Sequence, residues 1–373
     1  MLWISDTEGL AAYCQLAGDS GLVAVDTEFV WERTYYPQLG LIQLAYDGGE
    51  AALVDPLASL DSTPLRRLLE AESITKVFHE AASDLPILHR CCGALPKNIF
   101  DTRIAAGFAD LTATLSLSKL ITIILGVELP KTETRTDWLQ RPLTEAQLQY
   151  ASDDVAYMPK LCIKLRERLD QLGNTSRFSE TMAEYEQQDY YDPPAPEDAW
   201  KRVSGWQATS GASFNALKRL AAWRESFARD NDIARQRIIS DQQIVLATTY
   251  KAKTIAELKK HTGMWQKNLT RYGEAIVEVI KAGLAEPIQK DQSDFHQPYL
   301  DSRVLKQRSD RVLSLIRKRA EQAHLDPTLL GTRRDAESFV YAMAADPKDK
   351  THRLLQGWKG QLLEPTIHEI IPT

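Results

Sequence analysis

The stretch Leu22-Val-Ala-Val-Asp-Thr-Glu28 joins an apolar run to two acids. Its first four residues form the apolar run of a buried β-strand, and acids at alternate strand positions, here Asp26 and Glu28, point to the same face. Two like charges buried side by side are unfavourable unless a cation joins them. Because ligands that are all oxygen suit a hard cation such as Mg²⁺ or Mn²⁺, the stretch predicts a metal site at the end of a strand.

Two segments further along carry acids that would complete such a site. His79-Glu-Ala-Ala-Ser-Asp-Leu85 contributes Asp84, and Tyr150-Ala-Ser-Asp-Asp154 contributes Asp154. Tyr150 and Asp154 are four residues apart on a predicted helix, so their side chains share one face. Four carboxylates of this kind can hold two divalent ions for phosphodiester displacement. Since a tyrosine has a pKa near 10, we expect Tyr150 to orient the attacking water and not to deprotonate it.

Length and composition limit the class of protein. The 373 residues exceed one ordinary core and predict two or three domains. The four cysteines lack metal-type spacing, which favours a reduced intracellular protein. No apolar run approaches the roughly 20 residues needed to span a bilayer, and the first residues lack a basic segment followed by an apolar one. We therefore expect a cytoplasmic protein with no membrane partner.

Charge is divided unevenly along the chain. The formal net charge is -6, but residues 1–200 hold 16 Lys or Arg against 31 Asp or Glu, whereas residues 201–373 hold 29 against 20. An acidic half joined to a basic half indicates that metal chemistry and polyanion binding belong to different domains, the alternative being chance surface charge. Basic residues that could form an RNA track, or could simply be the exposed charge of amphipathic helices, are Lys218, Arg219, Arg224, Arg235 and Arg237.

Hydrophobic periodicity divides the chain into an α/β part and a helical part. A proline-rich acidic stretch after Asp189 separates them, and capping-box patterns begin helices at Thr144 and Thr254. A mixed sheet with helices on its faces is expected at 1–190, a linker at 191–210, and helical bundles at 211–287 and 288–373. The predicted strands are 22–29, 39–45, 51–54 and 75–78, and the predicted helices include 83–92, 102–109, 116–125, 145–169, 214–229, 268–282, 303–323, 332–344 and 350–363.

The three acidic motifs, in this order and spacing, resemble those of the DEDD superfamily of 3′→5′ exonucleases, in its tyrosine-containing branch. Their flanks resemble the ribonuclease D family in particular, and the helical remainder resembles paired HRDC modules. The segments that carry the resemblance are Asp26-Thr-Glu-Phe-Val30, Arg33-Thr-Tyr-Tyr-Pro-Gln-Leu-Gly-Leu-Ile-Gln43, Arg135-Thr-Asp-Trp138, Arg141-Pro-Leu143, Arg271-Tyr-Gly273 and Gly357-Trp-Lys-Gly-Gln-Leu-Leu363.

This resemblance implies a ribonuclease H-like α/β exonuclease domain followed by two all-α HRDC domains. It implies two Mg²⁺ or Mn²⁺ ions held by Asp26, Glu28, Asp84 and Asp154, with Tyr150 holding the attacking water. Nucleoside 5′-monophosphates would be released from RNA 3′ ends, with precursor tRNA and other small structured RNAs as partners, and we expect a monomer. A 3′→5′ DNA exonuclease stays an alternative because the motifs address phosphate and not sugar, and a non-catalytic nucleic-acid-binding protein is another.

Four residues near the motifs are candidates for RNA contacts, each with a structural alternative. Phe29 could stack on a terminal base, although strand alternation favours packing in the core. His79 could contact RNA, although a structural hydrogen bond to the backbone beside Asp84 is favoured. Arg135 and Arg141 could reach phosphates or be solvated loop residues, with neither preferred.

Two acids compete for the ligand roles. Asp101 could be a fifth ligand, but it precedes a predicted helix and suits its N-cap, which we favour. Asp153 rivals Asp154, but only Asp154 is four residues from Tyr150, so we expect Asp153 to be a solvated neighbour.

Overall fold

The computed structural model describes residues 1–130, 136–287 and 300–370, apart from the side chains of Pro365 and residues 368–370. Two compact units are formed. The first consists of residues 1–29, 39–191 and the described residues from 300 onward, and the second consists of residues 30–38 and the described part of 192–296. Within the described ranges, no helix has the length and apolar character needed to cross a membrane.

The first unit is built on a six-stranded mixed sheet in the order β1-β4-β3-β2-β5-β6. Strand pairs β1–β4, β2–β5 and β5–β6 are parallel, and β3–β4 is antiparallel. The predicted mixed sheet is confirmed. The sequence pattern does not predict the two edge strands, because each has three residues, too few to give a detectable sequence period. The strands are β1 (Leu2–Ile4), β2 (Leu22–Val30), β3 (Gln38–Ala45), β4 (Ala52–Val54), β5 (Thr75–Phe78) and β6 (Ile99–Asp101).

Nine helices flank this sheet in residues 1–130 and 136–191. The predicted continuous helix over 145–169 is wrong: it is broken at Tyr157, because Pro159 has no N–H to donate to the preceding turn. The capping box at Thr144 is confirmed. The helices are α1 (Thr7–Asp19), α2 (Thr63–Glu70), α3 (Ala81–Cys92), α4 (Thr102–Phe108), α5 (Leu117–Leu125), α6 (Glu145–Ala156), α7 (Met158–Gln171), α8 (Thr175–Met182) and α9 (Gln188–Tyr191).

The second unit is helical and has its own hydrophobic core. Part of the stretch predicted as a linker is folded into this core as 3-10 helices, since Trp200 and Val203 are buried and the Trp200 ring lies 5.1 Å from that of Phe214. Its helices are α10 (Gly211–Asp230), α11 (Arg235–Ile238), α12 (Asp241–Thr249), α13 (Ile255–Thr262) and α14 (Gln266–Ala285).

The capping box predicted at Thr254 is only half formed. The Thr254 hydroxyl accepts from the N–H of Glu257, but the Glu257 carboxylate bonds the N–H of Lys253, one residue before the cap.

Residues 30–38 fold with the helices of the second unit. The Tyr35 hydroxyl donates to Glu225 over 2.6 Å, and the N–H of Tyr36 donates to Asp232 over 3.0 Å. Glu225 is also ion-paired with Arg235, whose Nε lies 2.6 Å away. Arg224 pairs with Asp241, and Arg219 with Glu286. Three of the five basic residues considered for an RNA track are therefore bound to acids of their own unit.

The last helices share the hydrophobic core of the sheet. The Trp358 ring lies 5.2 Å from that of Phe108, and the Asn174 side chain donates to the carbonyl of Ala323 over 3.0 Å. The Asp326 carboxylate accepts the N–H of Ala113 over 2.7 Å. These helices are α15 (Ser302–Gln322), α16 (Pro327–Leu330), α17 (Arg333–Ala345) and α18 (Gly357–Ile370).

Candidate active site

Three of the predicted acids meet beside strand β2. Asp26 and Glu28 lie at alternate positions of β2, and Asp154 lies in the last turn of α6. Each offers one carboxylate oxygen, and these three oxygens lie within 4.8 Å of one another. All the donors are oxygen, so this group has the chemistry to hold a hard divalent cation.

Asp84 approaches the same group from the first turn of α3. It is buried, and the hydroxyl of Thr27 donates to its carboxylate over 2.5 Å. Asp84 is close enough to raise the pKa values of Asp26 and Glu28, although it is not one of the three acids that meet within 4.8 Å. Sequence reasoning missed Thr27; its only signal was a hydroxyl at the β2 position between the two acids.

The electrostatics of the group are unfavourable without a cation. Burial and the charges of neighbouring carboxylates raise the pKa of Asp26 well above its usual value and that of Glu28 to about 8. Burial also raises the pKa of Asp84 to about 7 and that of Asp154 to about 6. Among the described residues, none of these four acids is in an ion pair with Lys or Arg. A bound divalent cation would relieve this repulsion, so the donor set fits one.

Tyr150 lies next to this group on α6. Its side chain is hydrogen-bonded to Asp154, and burial together with the nearby acids raises its pKa far above the usual value. The Trp138 ring lies 6.1 Å from the Tyr150 ring. The phenol is therefore protonated at neutral pH and acts as a hydrogen-bond donor.

Arg141 is a structural residue, contrary to both alternatives considered for it. Its Nε and Nη2 bond the Asp55 carboxylate over 3.0 and 2.6 Å. Nη1 donates to the carbonyls of Trp138 and Gln140, and Nη2 also donates to that of Gly40. Five N–H bonds exhaust the donors of a guanidinium, so none is left for a phosphate.

The other candidates lie as follows. Phe29 is half-buried and belongs to neither hydrophobic cluster of the described residues, so the favoured core packing is wrong, and stacking on a base stays a prediction. His79 has a structural hydrogen bond, but its partner is the Thr102 hydroxyl, 2.8 Å from Nδ1, and not the backbone beside Asp84. An RNA contact of His79 stays a prediction. Arg135 lies outside the described residues.

Asp101 caps α4 by accepting the N–H groups of Arg103 and Ile104, which confirms the favoured role.

Asp153 is not part of the group that meets at β2. Its carboxylate accepts a bond from the Gln149 side chain over 2.9 Å. The choice of Asp154 over Asp153 by helical spacing thus agrees with where the structure places the two side chains.

The mixed sheet and the acidic group agree with the class of protein that the matching family model defines, the 3′→5′ exonucleases. A family model described as 3′-5′ exonuclease matches residues 1–170, and an HRDC domain model matches residues 213–280. Ribonuclease D of Desulfotalea psychrophila is 35% identical over 97% of this chain and 96% of its own length. Ribonuclease D of Escherichia coli K12 is 31% identical over 99% of this chain and 97% of its own. The chain belongs to the ribonuclease D family and is a 3′→5′ exoribonuclease.

Solved structures agree with this assignment. The crystal structure of Escherichia coli RNase D superposes with a TM-score of 0.86 at 30% identity, covering 99% of this chain and 97% of that one. The catalytic core of RRP6 from Trypanosoma brucei, at 20% identity, has a TM-score of 0.60 over 76% of this chain and 81% of its own, and shares the fold. The family and the acidic group indicate use of a divalent metal ion. The second HRDC module, at 288–373, stays a prediction.

Proposed function

We propose that this exoribonuclease trims the 3′ ends of precursor tRNAs and other small structured RNAs. Two divalent ions, Mg²⁺ or Mn²⁺, would be held by Asp26, Glu28, Asp84 and Asp154. The observation that carries the proposal is the meeting of three carboxylate oxygens within 4.8 Å, with no basic partner among the described residues, in a chain of the ribonuclease D family. Escherichia coli RNase D is described as an exoribonuclease involved in structured RNA processing, which supports the substrate class.

The residues of the chain have distinct parts in this proposal. Asp26 and Glu28 present their carboxylates from a rigid strand, and Thr27 fixes the orientation of Asp84 through its hydroxyl. Divalent ions in such a site supply positive charge that stabilises both the attacking and the leaving oxygen of an in-line displacement. Tyr150 is protonated, and its hydroxyl, which is hydrogen-bonded to Asp154, would contact the attacking water and orient it. Its raised pKa excludes it as the base that removes the proton of that water.

The reaction consumes one water for each nucleotide removed. The water oxygen bonds to the phosphorus of the last linkage, and the bond from phosphorus to the 3′ oxygen of the preceding nucleotide breaks. The products are a nucleoside 5′-monophosphate and an RNA shortened by one residue, which ends in a 3′ hydroxyl. The same groups would carry out this step again at each new 3′ end of the RNA.

We also propose a division of labour along the chain. Residues 1–190 would form the catalytic domain, residues 191–210 would connect it to the helical part, and 211–287 and 288–373 would be HRDC-like modules that help to capture RNA. The excess of positive charge after residue 200 supports this, as does the HRDC match at 213–280. The protein would act in the cytoplasm as a monomer.

Hydrolysis of labelled oligonucleotides tests the proposed activity. RNA and DNA of the same sequence, labelled at the 5′ end, are incubated with the full chain and Mg²⁺ or Mn²⁺, with and without EDTA. We expect a ladder that shortens from the 3′ end, faster for RNA than for DNA, and abolished by EDTA. Cleavage that persists in EDTA, or internal cleavage without a ladder, would contradict the proposal. A precursor tRNA with a 3′ extension, compared with its mature form, tests the substrate class.

A further inference from the structure

Two aromatic side chains of the second unit are exposed to solvent. Trp265, which directly precedes α14, is 82% exposed, and Tyr250, which follows α12, is 57% exposed. The Tyr250 ring is stacked on His261 of α13, with centroids 4.4 Å apart and planes inclined by 11°. Large aromatic rings bury most of their area in ordinary cores, so rings left this exposed are available to stack on a partner.

The same short stretch is rich in lysine. Residues 250–267 contain Lys251, Lys253, Lys259, Lys260 and Lys267, and only one acid, Glu257. The Glu257 carboxylate accepts the backbone N–H of Lys253 over 2.7 Å. All five lysines are exposed, and none forms an ion pair with any residue that the structure describes. Lys259 donates to the Gln266 side chain over 3.1 Å, which joins the end of α13 to the start of α14 beside Trp265.

This surface differs from the arginine-rich part of the same unit. Arg235 and Arg224 are bound to Glu225 and Asp241 and have an evident structural role. The lysines of residues 250–267 are exposed, and none of them is paired with an acid among the described residues. Unpaired cations and exposed aromatic rings within one short stretch are the composition that single-stranded nucleic acids bind.

We infer that Tyr250, Trp265 and the surrounding lysines form a binding surface for unpaired RNA. Bases stack on Trp265 and on the open face of Tyr250, while the lysines contact phosphates. A duplex does not fit this role because its bases are already stacked, and an acidic protein would use the lysines but not the rings. The inference deepens the proposed function and rests on RNA being the substrate. It assigns capture of single-stranded segments to the helical second unit.

Binding measured without hydrolysis tests the surface. The full chain is titrated in EDTA with a fluorescein-labelled, unstructured RNA oligonucleotide. Trp265→Ala should weaken binding by roughly 5- to 150-fold, the range for loss of one base–aromatic stack. Tyr250→Ala should weaken binding, whereas Tyr250→Phe, which keeps the ring, should bind as the wild type does. Because Trp265 is 82% exposed, its replacement leaves the core intact, and melting curves confirm that the variants are folded.

Salt dependence tests the lysines separately. Each phosphate contact adds about 0.7 to the slope of log affinity against log salt for single strands, so Lys260→Gln with Lys267→Gln should reduce the slope by about 1.4. Lys281→Gln is the matched control: it removes the same charge from α14, but Lys281 is paired with Glu278 over 2.8 Å. It should leave the slope unchanged.

The possible failures are distinguishable. If Trp265→Ala and the double lysine variant bind unpaired RNA as the wild type does, the surface has another use and the inference is wrong. It is equally wrong if poly-glutamate competes for the surface better than RNA does, or if duplex RNA binds it more tightly than unpaired RNA. Failure of the proposed function would give a different result. The wild-type chain would then leave labelled RNA intact in Mn²⁺, whatever the binding measurements give.

Discussion

The two units of the molecule each contain a cluster around buried acids, and the clusters are electrostatic opposites. In the second unit, Glu225 is only 1% exposed, yet its pKa falls to about 2. Burial alone would raise that pKa, but hydrogen bonds from Arg235 and Tyr35 and the nearby arginine charges more than offset it. In the first unit, Asp26 and Glu28 have no basic partner among the described residues, and their pKa values rise.

The difference separates a structural acid from a functional one. Glu225 is satisfied by its own chain, and it joins α10 to the segment that contains Tyr35. The carboxylates around Asp26 accept hydrogen bonds from Thr27 and Tyr150 but have no cationic partner among the described residues, so a positive charge from outside the chain would stabilise them. Folded proteins retain such unfavourable groups where function requires them.

The largest expected effect is on catalysis. Asp26→Asn should reduce hydrolysis of RNA by more than about 10³-fold, beyond the 10²- to 10³-fold loss that follows removal of a single electrostatic group. Single-turnover cleavage in Mn²⁺ measures the effect. The matched control is Asp153→Asn, which removes an acid from the same region outside the group and should keep the wild-type rate. Equal losses in both variants would show that net charge, and not the carboxylate group, governs the rate.

The next effect is on stability, in the opposite cluster. Glu225→Gln should lower the free energy of unfolding by about 3–5 kcal/mol, because it leaves Arg235 and its neighbours without their carboxylate. Urea denaturation monitored by circular dichroism measures it. Glu278→Gln, at an exposed ion pair of the same unit, should change stability by no more than about 0.5 kcal/mol. A Glu225 variant as stable as the control would remove the distinction between the two clusters.

Tyr150 should affect the rate and not metal affinity. Tyr150→Phe removes only the hydroxyl that orients the water, so the rate should fall by roughly 10²-fold. The Mn²⁺ concentration for half-maximal rate should stay the same. Recovery of the wild-type rate at high Mn²⁺ would instead make Tyr150 a residue that supports metal binding.

The smallest effect is the pH dependence of stability in EDTA. Acids with raised pKa values bind protons in the folded protein that the unfolded chain has lost, so the metal-free protein should lose stability as pH rises from about 4 to about 8. Asp26→Asn should therefore raise the free energy of unfolding at pH 8 by about 0.5–2 kcal/mol, which a higher melting temperature reports, and should give no gain at pH 4. Glu225 acts in the opposite sense: its contribution is present above about pH 4.5 and is lost as pH falls toward 2. A stabilisation by Asp26→Asn that is the same at both pH values would contradict this account of the site.

Local sequence patterns predicted the parts of the site that depend on neighbouring residues. The strand that carries Asp26 and Glu28 and the helix that carries Tyr150 and Asp154 follow from alternation and four-residue spacing. Arg141 was misread because its partner Asp55 is 86 residues away, and no local pattern links the two. Tyr35 likewise meets Glu225 across 190 residues.

The sequence also does not predict which part of the protein the last helices pack against. Their amphipathic pattern shows that one face is buried but not what covers it. The structure packs Trp358 and the side chains around it into the core of the sheet. Cutting the chain after residue 192 would therefore expose that core, and it would leave Tyr35 without Glu225. Single substitutions in the full chain are the sound way to separate RNA capture from catalysis.

Calorimetric titration of the full chain with Mn²⁺ at pH 7 tests the central claim, that the carboxylates around Asp26 are poised for a divalent cation. Repeating it in two buffers with different ionisation enthalpies counts the protons released. We predict that the wild type and Asp153→Asn bind Mn²⁺ and release protons, because Glu28 and Asp84 hold protons near this pH. Asp26→Asn should bind far more weakly. Equal Mn²⁺ binding by Asp26→Asn and the wild type, or binding without proton release, would contradict the claim.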